Sequence, residues 1–248
     1  LHIQNYAEKE GYTVIIANTN EKLDQMAKMI NFLNSRQVDG LIITPAEGSE
    51  SLAESLLENK KPLVLVDRGF PKLKIPSVLI NNFDICFRSA KQLVDRGFKN
   101  PAFISYKQDQ FHTNERERGF VEAMKKAGIY NPGNVKKVNY ECLGEDMDRV
   151  ISELLNSEMK VDAIFFATNT ISISGVKSLL KHDVIIQRDI EVMCFDESEA
   201  IDLFPFRVPF IKQPIEEMAK KALELLIQQI EKKDARADIL FLDAELVV

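Results

Sequence analysis

Apolar residues fall into two alternating rhythms along this chain. Compact runs of three or four apolar residues suit strands buried on both faces, and stretches with apolar residues three and four apart suit one face of a helix. Leu1, Ile3, Tyr6 and Ala7 open the chain with helical spacing, and Gly11 is placed to end that helix. Residues 14–17 read as a short buried strand and 18–20 as a turn. Met26, Ala27, Met29, Ile30 and Leu33 then mark a second helix. Strands are predicted at 41–43, 63–66 and 78–80, with a helix at 52–58 before the second of them.

The same alternation returns in the second half. Helices are predicted at 83–96, 115–127, 147–155 and 172–180, the first two stopped by Gly97 and Gly128. Strands are predicted at 102–104, 135–140, 163–166 and 192–195. The last of these ends at Asp196, just past the carboxyl end, where open parallel sheets place their ligand-contacting groups. Pro205 and Pro209 bracket a segment that suits neither a helix nor a central strand. Pro214 then opens a helix with Ile215, Met218, Ala219, Ala222, Leu223, Leu226 and Ile230 on one face. Residues 239–248 read as strand-like and as a further crossing of the chain.

Strands alternating with amphipathic helices make right-handed βαβ units, and hence an α/β fold of parallel sheets flanked by helices. Two such units, joined near Asn81 and again at 206–209, predict a two-domain clamp. One is drawn as 1–81 with 209–235, the other as 82–208 with 236–248. The series starts with a helix, and a doubly wound sheet needs a strand first. A strand and the natural N-terminus are therefore expected upstream of Leu1, which is not a Met.

Charge and cysteine usage narrow the function. The 248 residues carry a formal charge of −6 and no basic stripe, which makes the chain by itself a poor nucleic-acid binder. Its apolar runs are too short to span a membrane. Cys86, Cys142 and Cys194 form no C-x-x-C pair or zinc spacing and read as buried, small apolar residues in a reducing compartment. Walker, G-x-S-x-G and G-x-G-x-x-G motifs are absent and His2, His112 and His182 are scattered, so neither an enzyme nor a cofactor is expected.

Several stretches, in this order along the whole chain, resemble the effector-binding domain of LacI/GalR-family transcription regulators. They are Gly11-Tyr12, Asn18-Thr19, Val38-Asp39-Gly40-Leu41-Ile42, and Pro62 to Arg68 (PLVLVDR). Further on come Arg116-x-x-Gly119-Phe120, Phe195-Asp196-Glu197, and Gln213-Pro214-Ile215-Glu216-Glu217-Met218. The resemblance implies a periplasmic-binding-protein-like fold with two Rossmann-like subdomains, three crossovers and a ligand cleft. It also implies an N-terminal helix-turn-helix headpiece, a hinge helix and a first strand ahead of Leu1.

The resemblance carries ligand contact onto particular residues. Arg116 matches a ligand-binding Arg whose planar fork grips vicinal hydroxyls or a carboxylate; the alternative is a surface Arg within the charged run 115–118. Asp196 matches a ligand-contacting Asp, an acceptor suited to sugar hydroxyls, or else is a capping acid. Asn169 corresponds to the Asn of the family's Asn-Asp pair, with Thr170 in place of the Asp, and a capping role is open beside it. Asn81 stands where the family has an Asp. Arg68 is a pocket-wall candidate, and Asp67 beside it is either such a residue or a structural acid. His112 is a ligand contact or an exposed loop residue. Phe165 is a stacking ring or core, and Phe204 and Phe206 are possible walls. Cys194 replaces a usual Gly, and 204–209 replaces the usual Pro-x-Leu-Thr-Thr.

Two functions fit this pattern. One is the sensor of a cytoplasmic, homodimeric regulator that binds a small effector, a sugar or sugar derivative, and reaches operator DNA only through the headpiece. Helix faces at 52–57 and 218–230 are candidates for its dimer surface. The other is a periplasmic sugar-binding receptor of a transport system, with the same fold and a monomeric state.

Overall fold

The computed structural model describes residues 2–70, 72–200, 203, 206–231 and 239–248. In chain order its elements begin with α1 (His2–Lys9), α2 (Leu23–Ser35), β1 (Leu41–Ile43), α3 (Glu50–Glu58), β2 (Leu63–Val66) and β3 (Ser77–Ile80). Then come α4 (Asn82–Asp95), β4 (Pro101–Tyr106), α5 (Phe111–Lys126), β5 (Val135–Val138), α6 (Leu143–Leu155) and β6 (Ala163–Phe166). The last are α7 (Asn169–Lys181), β7 (Glu191–Phe195), β8 (Phe210–Lys212), α8 (Ile215–Ile230), β9 (Ile239–Leu242) and β10 (Glu245–Val247). Gly97 and Gly128 end α4 and α5 with φ of 98° and 70°, a conformation that a Cβ disfavours. Among the described residues no helix is long and apolar enough to cross a membrane.

The chain divides into two compact units. The first comprises Leu1–Ile80, Gln110–His112 and Pro214–Leu242. Its sheet has the order β1-β2-β3-β9, parallel throughout. Met26 and Ile30 of α2, Leu56 of α3, and Leu41, Leu63 and Leu65 of the strands share one core cluster. Helix α8 packs on β1, β2 and β3 and against α1.

The second unit comprises Asn81–Asp109, Thr113–Gln213 and Asp243–Val248. Its sheet has the order β10-β8-β7-β6-β4-β5, parallel except for the antiparallel edge strand β10. Strands β4, β6 and β7 are buried along their whole length, as their largely apolar runs require, with Ser105 and Glu191 the buried polar exceptions. Helices α6 and α7 cover one face with Met147, Val150, Ile151, Leu154, Val176 and Leu179. A Cβ on Gly175 would strike the Phe166 ring, so α7 packs directly on that ring at the end of β6.

Two expectations change. Residues 14–17 form no strand: they run without regular structure, with Ile15 56% and Ile16 75% exposed. An apolar run becomes a strand only when a neighbour takes its N–H and C=O groups, and among the described residues no strand pairs with this one. The terminal run, expected as strand-like and as a further crossing, is two strands, one in each unit. Residues Ile239–Leu242 join β3 in the first unit, and Glu245–Val247 join β8 in the second, either side of Asp243-Ala244.

Burial pushes the thiols of Cys86 and Cys194 up to about 12, whereas Cys142, expected to be buried like them, is exposed just ahead of α6. A thiolate-specific chromogenic disulfide reagent at pH 8 is expected to titrate one thiol rapidly in the native chain and all three after unfolding. Two rapidly reacting thiols in the native chain would contradict this packing.

Candidate ligand-binding site

Arg116 lies in the first turns of α5 and is only 3% exposed. Three contacts fix its fork. Its Nε donates to Asn82 Oδ1 at 2.7 Å, one terminal nitrogen donates to the Ala167 carbonyl at 2.9 Å, and the guanidinium lies 3.5 Å from the centre of the Phe195 ring. None of these partners is an anion. A desolvated cation stacked on an aromatic face gains about 2 kcal/mol, well short of the several kcal/mol that burying an ion costs. The two hydrogen bonds to Asn82 and the Ala167 carbonyl supply the remaining support for the buried charge.

Glycine makes this geometry possible. A Cβ on Gly119 would run into the Phe83 carbonyl and the Phe87 amide, so α5 lies directly on the backbone of α4. That approach sets Arg116 against Asn82, the first residue of α4. The two halves of Arg116-x-x-Gly119 are thus coupled: the small residue seats the helix, and the arginine one turn earlier meets the neighbouring helix start.

Asp196 follows β7 with a φ of 74°, in the left-handed region that Asp tolerates better than most residues. Its N–H donates to the Ile211 carbonyl on β8, and its Oδ1 accepts from Gln213 Nε2 at 2.6 Å. It is half-buried, and its second carboxylate oxygen has capacity for a further donor. Both Arg116 and Asp196 act on Cys86. Burial is the main cause of that thiol's raised pKa, with Arg116 lowering it and Asp196 raising it. The cation and the acid therefore share one neighbourhood without forming an ion pair with each other.

Other expected site residues fall in different places. Asn169 opens α7, but the cap is Thr168, whose Oγ1 accepts from the Ile171 N–H at 3.4 Å. Asn169 Oδ1 is buried without a hydrogen-bond partner. Asn81 is exposed and caps α4 by accepting from the Asp84 N–H, so the inward-facing amide is the next one, Asn82. Phe165 has no exposed surface and packs edge-on to Phe103 and Phe120, so its ring serves the core. Phe206 packs against the core of the second unit, and Phe204 lies outside the described residues.

In the first unit, Arg68 forms a two-pronged pair with Glu21 at 2.7 and 2.8 Å and lies 3.7 Å from Asp67. Asp67 is thereby a charge partner for Arg68, and with a φ of 67° it repeats at the end of β2 the conformation of Asp196 at the end of β7. His112, expected in a loop, is a buried residue at the start of α5. Sequence reasoning missed Asn82 and Glu21. The adjacent amides Asn81-Asn82 at a strand end were a signal for the first, whereas nothing local marks Glu21, which is 47 residues from Arg68.

The family model for periplasmic binding proteins and the sugar-binding domain of the LacI family matches residues 1–245. The chain belongs to this family. The transcriptional repressor PurR of Aliivibrio fischeri is 25% identical over 249 residues, covering 99% of this chain and 73% of the repressor. Among solved structures, the regulator CcpA of Lactococcus lactis matches with a TM-score of 0.89 at 24% identity, covering all of this chain and 90% of that one. The Cra regulator of Pseudomonas putida, in complex with fructose 1-phosphate, matches with a TM-score of 0.84 at 21% identity, covering 99% and 90%. At such identities the structures establish a shared fold. With the family match and the repressor relatives, the chain is an effector-binding domain of the LacI-family regulator type.

Gly119→Ala is expected to destabilise the chain by about 1–3 kcal/mol through overpacking. Gly144→Ala, on α6 with open space around its Cα, is expected to stabilise it by up to about 1 kcal/mol. Urea unfolding of both variants checks the contrast, and equal effects would refute the close approach of α5 to α4.

Proposed function

We propose that the chain senses a sugar or sugar derivative, gripped by the guanidinium of Arg116 and the carboxylate of Asp196, and couples it to operator affinity. The observation that carries this reading is the buried Arg116 fork, which has three protein contacts and no anionic partner. Such a group binds hydroxyl pairs or a phosphate through parallel N–H donors, and a carboxylate beside it accepts from sugar hydroxyls. The fructose 1-phosphate bound by the Pseudomonas putida regulator combines both chemistries.

The coupling needs a DNA-reading part, which the acidic chain does not supply by itself. In this reading the ligand favours one of two states of a cytoplasmic homodimer, and the difference in ligand affinity between those states sets the shift in operator affinity. A transport receptor of the same family is the second reading, favoured by the other half of the family description; the repressor relatives weigh toward the regulator.

A panel of monosaccharides, disaccharides and sugar phosphates is expected to contain a compound that raises the melting temperature of the chain. A ligand at one hundred times its Kd stabilises by about 2.7 kcal/mol. Arg116→Lys keeps the charge but removes the fork, and Asp196→Asn keeps the shape but removes the charge. Each is expected to abolish most of that shift while leaving the ligand-free chain folded by circular dichroism. Full retention of the shift in both variants would overturn the assignment.

A further inference from the structure

The first unit holds a guanidinium fork of its own, and the chain fills it with one of its own acids. Arg68 lies just past β2, with its side chain 18% exposed. Its terminal nitrogens donate to both carboxylate oxygens of Glu21, Nη1 to Oε2 at 2.8 Å and Nη2 to Oε1 at 2.7 Å. By this end-on, two-pronged pairing an arginine takes a phosphate or a carboxylate from solution. Beside the guanidinium, the Asp67 carboxylate lies 3.7 Å from Nε. Two carboxylates thus surround one cation, and the cluster is net negative.

The acid is brought there at a cost. Asn20 (φ 49°) and Glu21 (φ 58°) are consecutive non-glycine residues in the left-handed conformation. Asn tolerates it, and the Asn18 side chain accepts from the Asn20 N–H at 2.8 Å. Glu is not among the residues that favour it, yet this backbone carries its side chain to Arg68, 47 residues on. Backbone strain of this kind collects at ligand clamps and switches. Glu21 is also the more exposed partner, 39% against 18%, so the fork is the fixed half and the acid the half a competitor would displace.

We propose that Glu21 determines specificity: it occupies the Arg68 fork as a resident anion and so excludes phosphate and carboxylate groups from this edge of the first unit. Neutral hydroxyls are still received, because ionised carboxylates accept from them through the lone pairs that Arg68 leaves free. An arriving anion is repelled by both acids and must also break the intramolecular pair, and repulsion of this sort separates otherwise similar ligands. The inference deepens the sugar-sensing reading and rests on it for the identity of the effector, of which the first unit would accept hydroxyls only.

Inorganic phosphate alone tests the exclusion, whichever sugar the chain senses. In a chain labelled with ¹⁵N-arginine, the resonance of the buried Arg68 Nε–H is assigned by its loss in Arg68→Lys. It is then followed as phosphate is added, with sodium chloride at equal ionic strength as the control. In Glu21→Gln, which keeps the shape and removes the charge, the resonance is expected to move saturably with phosphate and not with chloride. The unaltered chain is expected to need at least about tenfold more phosphate for the same movement. A resonance that stays still in Glu21→Gln, or that responds equally in both chains, would overturn the proposal and leave the pair as a tie between the turn and β2. Should Glu21→Gln not fold, Glu21→Asp withdraws the charge from the fork by one methylene. A phosphate response in Glu21→Asp no stronger than that of the unaltered chain would overturn the proposal equally. A sugar panel that stabilises nothing, with the Arg68 response as expected, would count against sugar sensing alone.

Discussion

A single buried cation sets the demands on the second unit. Arg116 is almost fully buried, and the protein holds its guanidinium by dipoles and a ring instead of by a carboxylate. Each of those three supports comes from a different element: Asn82 from the start of α4, the Ala167 carbonyl from the end of β6, and Phe195 from the end of β7. The carboxyl ends of neighbouring parallel strands and the helix starts that follow them converge there because a doubly wound sheet puts them on one edge. Gly119 lets α5 rest on the backbone of α4, and Gly175 leaves room for the Phe166 ring beneath α7.

The acids at strand ends follow a second shared rule. Asp67 and Asp196 both take a left-handed backbone after a buried strand, and both donate their N–H to the next strand over. In the first unit the acid faces an arginine already paired with Glu21; in the second it accepts from Gln213 and stays clear of Arg116. The same local chemistry thus yields a closed ion-pair network in one unit and an acceptor with spare capacity in the other.

Most of the architecture was legible in the sequence because it is written in local periods. The runs at 63–66 and 163–166, the helix stops Gly97 and Gly128 and the proline-started helix at 215 are each decided by neighbours within a turn or two. Residues 14–17 failed that test for a physical reason: strand identity is conferred by a partner, and apolarity alone does not provide one. At the candidate site, Arg116 and Asp196 were singled out through the family resemblance, whereas the exchange of roles between Asn81 and Asn82 depended on which amide caps the helix and which turns inward. Phe165 carried the right chemistry for stacking but lay one layer too deep, between Phe103 and Phe120. Glu21 was invisible because only the fold brings it to Arg68.

The claim that Arg116 is the gripping group can be read on that side chain itself. In a chain labelled with ¹⁵N-arginine, the Nε–H resonance of Arg116 is identified by its loss in Arg116→Lys and followed while a stabilising sugar or sugar phosphate is titrated. Saturable movement of that resonance, at the same ligand concentrations that raise the melting temperature, is the result this account predicts. A ligand that stabilises the chain while the Arg116 resonance stays still would contradict it.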